Sequence, residues 1–345
     1  MKNVTGGRSS CHVFRAVSAP LPPRVYGYNE GMNIVPALPH IPLDANKYTR
    51  GSLLVLAGSR RYFGAGVLAT LAAEKTGAGY VSLATPTSAA LAARQHLLCS
   101  PVIEGDEDGT RGSFSAAALP AILQEIRRIS AICAGPGLTV CEQTVAFLGE
   151  LLLYASVENI PLLLDADALG ILAAEPGLLS GRRAQKTVSP LSEGPSMNPL
   201  VLTPHEGELA RLFSALILES PQKVGEFMAA PKLEVSVAEA AMLLAGELDA
   251  VLVAKGPTTY VAGGGELFES NKASPALAKA GTGDVLAGVI SSLLAQGMAA
   301  MDAALLGVQL HSLAGIQAEH KLGRRSVTAL DVIEALPQAV ARFES

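Results

Sequence analysis

The stretch ALAKAGTGDVLAGVISSLLAQ, Ala276 to Gln296, decides how the rest of the chain is read. Gly281, Thr282 and Gly283 lead into Asp284, and a long apolar run compatible with a helix follows at once. Small residues let the backbone approach a ligand closely. The unpaired N–H groups of a helix's first turn, together with its dipole, favour negative charge. Asp284 stands at the mouth of that predicted anion site. From the residues alone two roles are open to it: a cap for the helix N-terminus, or a general base where a phosphate or developing charge is held.

Outward from this stretch the same grammar recurs. Ser52–Ala57 (SLLVLA) is a short apolar run closed by Gly58 and Ser59, which predicts a buried strand ending in a turn. Gly64-Ala65-Gly66 opens a helix-compatible run over Val67–Thr76 that stops at Gly77-Ala78-Gly79, and Tyr80–Ala84 reads as the next strand. Ala131–Ala134 predicts a strand ending in Gly135-Pro136-Gly137, and Pro161–Leu164 one ending in Asp165-Ala166-Asp167. Leu200–Leu202 predicts one ending in Thr203-Pro204-His205-Glu206-Gly207-Glu208, and Ala250–Ala254 one ending in Lys255-Gly256-Pro257-Thr258-Thr259. Helical patterning falls at Ala116–Ile129, Val140–Ser156, Met301–Glu319 and Thr328–Phe343, the last with Thr328 as N-cap and Asp331 at the third helical position. A Gly-rich hairpin over Tyr260–Phe268 predicts an antiparallel addition at the sheet edge. The alternation predicts an α/β fold in three layers, a mostly parallel central sheet covered by helices on both faces. In such a sheet ligands bind beyond the carboxyl ends of the strands, where the glycines and polar residues collect here.

At 345 residues and 49% hydrophobic content the chain can bury a large core. A net charge of −5 and only 4% aromatic residues give no basic stripe and no aromatic-interleaved basic patch, so nucleic acid is not expected as a partner. The four cysteines, Cys11, Cys99, Cys133 and Cys141, make neither a CxxC pair nor a metal-ligand spacing, and predict buried thiols in a reducing, cytoplasmic setting. The longest charge-free apolar run, Val285–Met301, is interrupted by Ser291, Ser292, Gln296 and two glycines, and reads as a buried helix rather than a membrane span. Met1–Tyr28 carries Lys2, Arg8, Arg15 and Arg24 but no acidic residue and no secretory-type apolar segment. Residues 1–37 are therefore read as a disordered extension or linker, and 38–345 as one folded domain. Ser180–Asn198 reads as a polar insertion, with another within Phe213–Val235.

The motifs, in this order, resemble the ADP/ATP-dependent (S)-NAD(P)H-hydrate dehydratase family, whose fold is similar to that of ribokinase-like sugar and vitamin kinases. The likeness is carried by GSRRYFGAGVLATLAAEKTGAGYV from Gly58, GPG at Gly135, DADAL at Asp165, TPHEGE at Thr203, KGPTT at Lys255 and SPALAKAGTGDVLAG at Ser274. It runs from about Leu38 to the last helix; TPHEGE and AGTGDVLAG together are specific. Many members carry a separate epimerase domain upstream, and the roughly forty residues before this domain predict a chain without one.

The resemblance implies repair of damaged nicotinamide cofactor: nucleotide-driven loss of water from the S form of hydrated NADH or NADPH, with ADP the expected co-substrate over ATP. Elementary chemistry agrees that a nucleotide is useful, because hydroxide is a poor leaving group and phosphorylating the hydroxyl replaces it with a good one. Asp284 would then accept the hydroxyl proton, and the N–H groups from Gly281 to Asp284 would hold the transferred charge. Ala65, Gly137, His205 and Asp284 match substrate-binding positions. Lys255, Gly256, Pro257, Thr258, Thr259, Gly281, Thr282 and Gly283 match the nucleotide-binding loops. Each has a plainer alternative: helix initiation for Ala65, a strand-end turn for Gly137, a surface or core histidine for His205, a solvated lysine for Lys255. Glu208 is a weak candidate for orienting Mg²⁺ through water, or only an acidic residue favouring a helix N-terminus. Asp165 and Asp167 are candidates for positioning phosphate or metal, or turn and cap residues. Lys279 either assists phosphate or decorates the surface. The resemblance also implies a homo-oligomer, in the family often a tetramer. Two further readings stay open: a ribokinase-like kinase of a small alcohol such as a thiazole or pyrimidine vitamin precursor, and a nucleotide-sensing module without turnover.

Overall fold

The computed structural model of the chain describes residues 36–180, 198–220, 231–271 and 274–344, together with the backbone of a strand at Arg24–Gly27. A ten-stranded sheet runs through it in the order β1-β10-β9-β8-β7-β6-β5-β2-β3-β4. The strands are β1 (Arg24–Gly27), β2 (Ser52–Leu56), β3 (Tyr80–Pro86), β4 (Val102–Gly105), β5 (Ala131–Ala134), β6 (Leu162–Leu164), β7 (Leu200–Leu202), β8 (Val251–Ala254), β9 (Thr259–Gly263) and β10 (Glu266–Ser270). Among them β9 alone is antiparallel, and to both its neighbours. The expected α/β sheet is therefore present, and the Gly-rich hairpin forms as β9 and β10.

The central strands read as unbroken apolar runs because both faces are covered. Leu53 and Val55 point into a core closed by the Phe63–Thr76, Thr282–Ala295, Ala300–Leu322 and Ala329–Ala341 helices. Leu54 and Leu56 point into the opposite core, closed by Ala118–Gln124, Glu142–Val157, Asp167–Ala174, Glu206–Leu216 and Val237–Leu248. The last helices thus return to the face of the first. There Gly288 meets the Phe63–Thr76 helix so closely that a Cβ would lie 2.1 Å from the carbonyl oxygen of Ala69; no other residue fits. Below it the Ser292 hydroxyl donates to Ala73 O (2.9 Å) and accepts from Ala78 N (3.0 Å).

Several boundaries differ from expectation. The third helix stops at Gln124 rather than Ile129, although Ile126 and Ile129 still pack against the core beyond it. The next begins at Glu142, not Val140, because Thr139 adopts φ 69° and Cys141 with Thr144 closes a reciprocal cap. Thr328 and Asp331 form the expected capping box, with Asp331 accepting from the Thr328 N–H at 2.7 Å. Patterning gave no hint of the Thr87–Arg94 helix or β4. Residues 24–27, read as part of an extension, instead pair parallel with β10, whose open edge offers unmatched backbone groups. Phe213 belongs to a helix ending at Leu216; residues 181–197 and 221–230 of the two insertions lie outside the described residues. Cys133 and Cys141 are buried as expected, but Cys99 is exposed, and Cys11 lies outside the described residues. Among the described residues no helix is long and apolar enough to cross a membrane.

Candidate active site

The crossovers leave β2 in opposite directions: β3 and β4 lie on one side, and β5 to β8 on the other. A crevice opens at such a switch, beyond the strands' carboxyl ends. Gly58 N donates to Pro136 O across it at 2.8 Å. Gly137, the last residue of the GPG turn, has φ 68°; a Cβ there would lie 3.2 Å from the Ala65 methyl and 2.8 Å from Tyr62 O. Ala65 and Gly137, far apart in sequence, therefore form one wall at the switch point.

The next strand ends carry the charges. Asp165, 1% exposed, follows β6 and accepts from the Lys255 ammonium at 2.7 Å and from the Thr203 hydroxyl at 2.7 Å. Lys255 ends β8, and its N–H donates to Pro204 O at 2.8 Å, tying the KGPTT and TPHEGE turns together; a single bridge joins His205 to Lys255. Lys255 is thus no solvated strand-end cation. Burial pulls its pKa down, but Asp165 and Glu208 outweigh that and hold it above the ordinary lysine value. Between the two aspartates Ala166 adopts φ 51°, a conformation alanine rarely takes, and Asp167 accepts from Thr139 N at 2.9 Å. Strained backbone of this kind persists where surrounding contacts over-determine it, and it gathers at functional sites.

The Thr282–Ala295 helix delivers Asp284 into this group. Gly281 N-caps it at φ 91°, and a Cβ at Gly281 would come within 2.7 Å of Leu68 Cδ1. A Cβ at Gly283 would sit 3.4 Å from Lys255 Nζ and 4.0 Å from Asp165 Oδ2, so this turn closes directly over the buried ion pair. The Thr282 hydroxyl turns inward to Leu277 O (2.6 Å) and Lys279 O (2.8 Å), leaving that residue only its backbone to offer. Asp284 is pushed up to about 7, by burial first and then by Asp165, with Lys255 opposing. Glu208 is likewise raised to about 7, chiefly by burial. Burial and Asp165 also raise Asp167, against its bond from Thr139. Three carboxyl groups, Asp165, Glu208 and Asp284, thus act on one ammonium, and two of them are raised to about 7, as expected of groups tuned for proton transfer.

His205 plays a role that residue type did not suggest. Its Nδ1 accepts from Gly207 N (3.0 Å) and Glu208 N (3.3 Å), capping the Glu206–Leu216 helix, while Glu208 returns a bond from the His205 N–H at 2.8 Å. Burial, then Lys255 and Arg211, lower its pKa; because Nδ1 accepts both bonds, the ring's N–H is at Nε2, 3.4 Å from Glu208. Gly256 and Pro257 are exposed at the tip of the KGPTT turn, with Thr258 and Thr259 half-buried behind. Lys279 does not join the site; its ammonium donates to Arg325 O at 2.7 Å. Two contributors escaped the sequence. Thr203 is an ordinary threonine until Asp165 is placed beside it. His311, on the Ala300–Leu322 helix, lies buried beneath the Gly281 turn and bonds the Thr282 backbone; burial pushes it down to about 4. Gly281→Ala should lower stability by at least ~1 kcal/mol, with a lower midpoint in thermal unfolding and weakened nucleotide binding, because the turn must shift away from Leu68.

A mostly parallel sheet with strand-end turns closing on a helix N-terminus is the arrangement of ribokinase-like proteins. A ribokinase-like superfamily protein from Enterococcus faecalis shares the fold, with TM-score 0.66, 23% identity and coverage of 90% of this chain and 93% of that one. A family model described as NAD(P)H-hydrate dehydratase matches residues 53–338, and the chain belongs to that family. It is 33% identical over 312 residues to the bifunctional NAD(P)H-hydrate repair enzyme Nnr of Moorella thermoacetica, covering 89% of this chain and 52% of that protein. The Thermofilum pendens Nnr is 34% identical over 309 residues, with the same coverage. The chain spans about half the length of the curated relatives it matches. Among solved structures, the ADP/ATP-dependent NAD(P)H-hydrate dehydratase of Bacillus subtilis co-crystallised with ATP/Mg²⁺ has TM-score 0.66 at 25% identity, covering 89% of this chain and 95% of that one.

Proposed function

We propose that this chain returns the S form of hydrated NADH or NADPH to the intact cofactor, using ADP in preference to ATP. The observation that carries the reading is Asp284: a carboxyl poised near 7 at a helix N-terminus, against the Lys255–Asp165 pair and in electrostatic contact with Asp167 and Glu208. Family membership supplies the substrate class. The dinucleotide lies at the Ala65–Gly137 wall, with His205 Nε2–H as a donor to it. The nucleotide lies over Lys255–Thr259, its outermost phosphate at the Gly281–Gly283 turn. Asp284 takes the proton from the ring hydroxyl as its oxygen attacks that phosphoryl; the N–H groups of the turn hold the charge that develops. ADP leaves as AMP, the C–O bond to the phosphate ester breaks with assistance from the ring nitrogen's lone pair, and loss of the proton from the adjacent ring carbon to water restores the double bond.

The donor set fits Mg²⁺. Among the described residues no three His, Cys, Asp or Glu side chains stand together as a complete metal site. Mg²⁺ keeps waters and takes substrate phosphates beside one or two carboxylates, and carboxyls outnumber the single ammonium here. Glu208, through water, is the residue that would hold it; bound there, the ion neutralises phosphate charge. The assembly we infer is a homo-oligomer.

The test offers purified protein hydrated NADPH with ADP or ATP and follows the near-ultraviolet absorbance of the dihydronicotinamide. Absorbance should recover with nucleotide and not without it, faster with ADP. Accumulation of a stable phosphorylated thiazole or pyrimidine alcohol, with no hydrate turnover, would instead make the chain a kinase.

A further inference from the structure

The turn from β2 into the Phe63–Thr76 helix carries two consecutive arginines whose fates differ. Tyr62 N donates to Ser59 O at 3.0 Å, so Arg60 and Arg61 are the corner residues. Arg60 is engaged: its N–H donates to Gly112 O at 2.8 Å, and its guanidinium meets Glu107 at 3.3 Å, itself held by Ser88 N at 2.8 Å. Arg61 has no carboxylate partner among the described residues. Its guanidinium carbon stands 5.3 Å from the centroid of the Tyr62 ring. Tyr62 (47% exposed) and Phe63 (36%) are the exposed aromatic side chains among the described residues of a chain poor in aromatics.

The location is specific. Tyr62 backs directly onto Gly137 and Ala65, at the β2/β5 switch point. Lys255 ends β8, four strands away across β5, β6 and β7. At ~4.8 Å per strand that is ~19 Å, so the part of a nucleotide over the KGPTT turn lies beyond the reach of the Arg61 side chain. A guanidinium steadied by a ring face and without an ion-pair partner among the described residues matches a phosphate in bidentate geometry at reduced entropic cost.

We propose that Arg61, held over Tyr62, anchors a phosphoryl group of the dinucleotide substrate rather than the ADP or ATP co-substrate. This rests on the dehydratase reading above. Two phosphoryl groups share that chemistry: the pyrophosphate, common to NADH and NADPH, and the 2′-phosphate of NADPH alone. Steady-state kinetics of wild type, Arg61→Ala and Arg61→Lys with both hydrates separate them. Arg61→Ala should raise KM for hydrated NADPH about tenfold or more, with kcat and the KM for ADP unchanged, and Arg61→Lys should recover part of the loss. An equal rise for hydrated NADH assigns the pyrophosphate; a rise confined to hydrated NADPH assigns the 2′-phosphate. Unchanged KM for both hydrates, or a rise in the KM for ADP instead, overturns the anchor. Calorimetric titration of the same proteins with NADP⁺ and NAD⁺ reads it without turnover. Lost affinity in Arg61→Ala upholds the anchor even if the wild type fails to dehydrate hydrate, which would sink only the reaction; equal affinity removes it.

Discussion

Asp284→Asn should lower kcat by about a thousandfold, within the 10²–10⁴ range that a positioned base contributes, while nucleotide affinity stays close to that of the wild type. Asparagine keeps the shape of the side chain at the mouth of the Gly281 turn and removes only the ability to take a proton. The pH profile gives a second reading of the same group. With the carboxyl pushed up to about 7, the ionised form falls roughly tenfold per pH unit below that point. Wild-type kcat/KM should therefore climb to a plateau above about pH 7. Stability should move the opposite way. A carboxyl whose folded pKa lies above its ordinary 3.8 binds more protons folded than unfolded, so it costs stability as pH rises from about 4 to 7. Thermal unfolding of Asp284→Asn should thus match wild type near pH 4 and exceed it at pH 8. A variant that retains most of its rate, or a profile flat through neutrality, would remove Asp284 from the chemistry.

The largest stability effect should come from Asp165→Asn. Its carboxylate is 2% exposed and holds a lysine that is 19% exposed, and breaking one side of such a pair typically costs ~3–5 kcal/mol because the other charge stays buried. Glu208 and Asp284 are the remaining counter-charges near Lys255, which favours the lower end. Asparagine still accepts from the Thr203 hydroxyl, so the loss isolates the charge. Combining Asp165→Asn with Lys255→Met should restore most of the stability in urea unfolding and none of the activity. If the double variant is no more stable than the single, the pair is not the dominant contact there. The single variant also shifts the pH profile: Asp165 helps to raise Asp284, so its removal should move the midpoint down.

How much of this was legible in the chain differs between fold and site. The central strands were readable because they are buried on both faces, which leaves no polar residue inside Leu53–Leu56, Ala131–Ala134 or Leu162–Leu164 to blur them. The polar endings marked the carboxyl edge, and the resemblance carried by TPHEGE and AGTGDVLAG pointed to the right family. What local pattern cannot hold is which strand end lies beside which. Asp165 and Lys255 are ninety positions apart, and each alone has an ordinary turn or surface explanation; only the order β6-β7-β8 makes them a pair. His205 reads in sequence as a substrate-binding residue or a surface or core histidine; its service as a helix cap depends on a ring orientation that no spacing encodes. The short Thr87–Arg94 helix and β4 were missed because neither is long enough to show a period.

The contact at Gly288 reaches further than packing. It bolts the helix bearing Asp284 to the one that Tyr62 caps and Ala65 opens, and Ser292 adds a second rivet at Ala73 and Ala78. On the reading proposed above, the proton acceptor and the dinucleotide wall would ride on one stiff chassis and keep a fixed spacing. The Gly281–Gly283 turn belongs to the same frame, while Gly256 and Pro257 stand in solvent beyond it. A site so built would be strict toward the ring and the transferred phosphate, and lenient toward the far end of the donor.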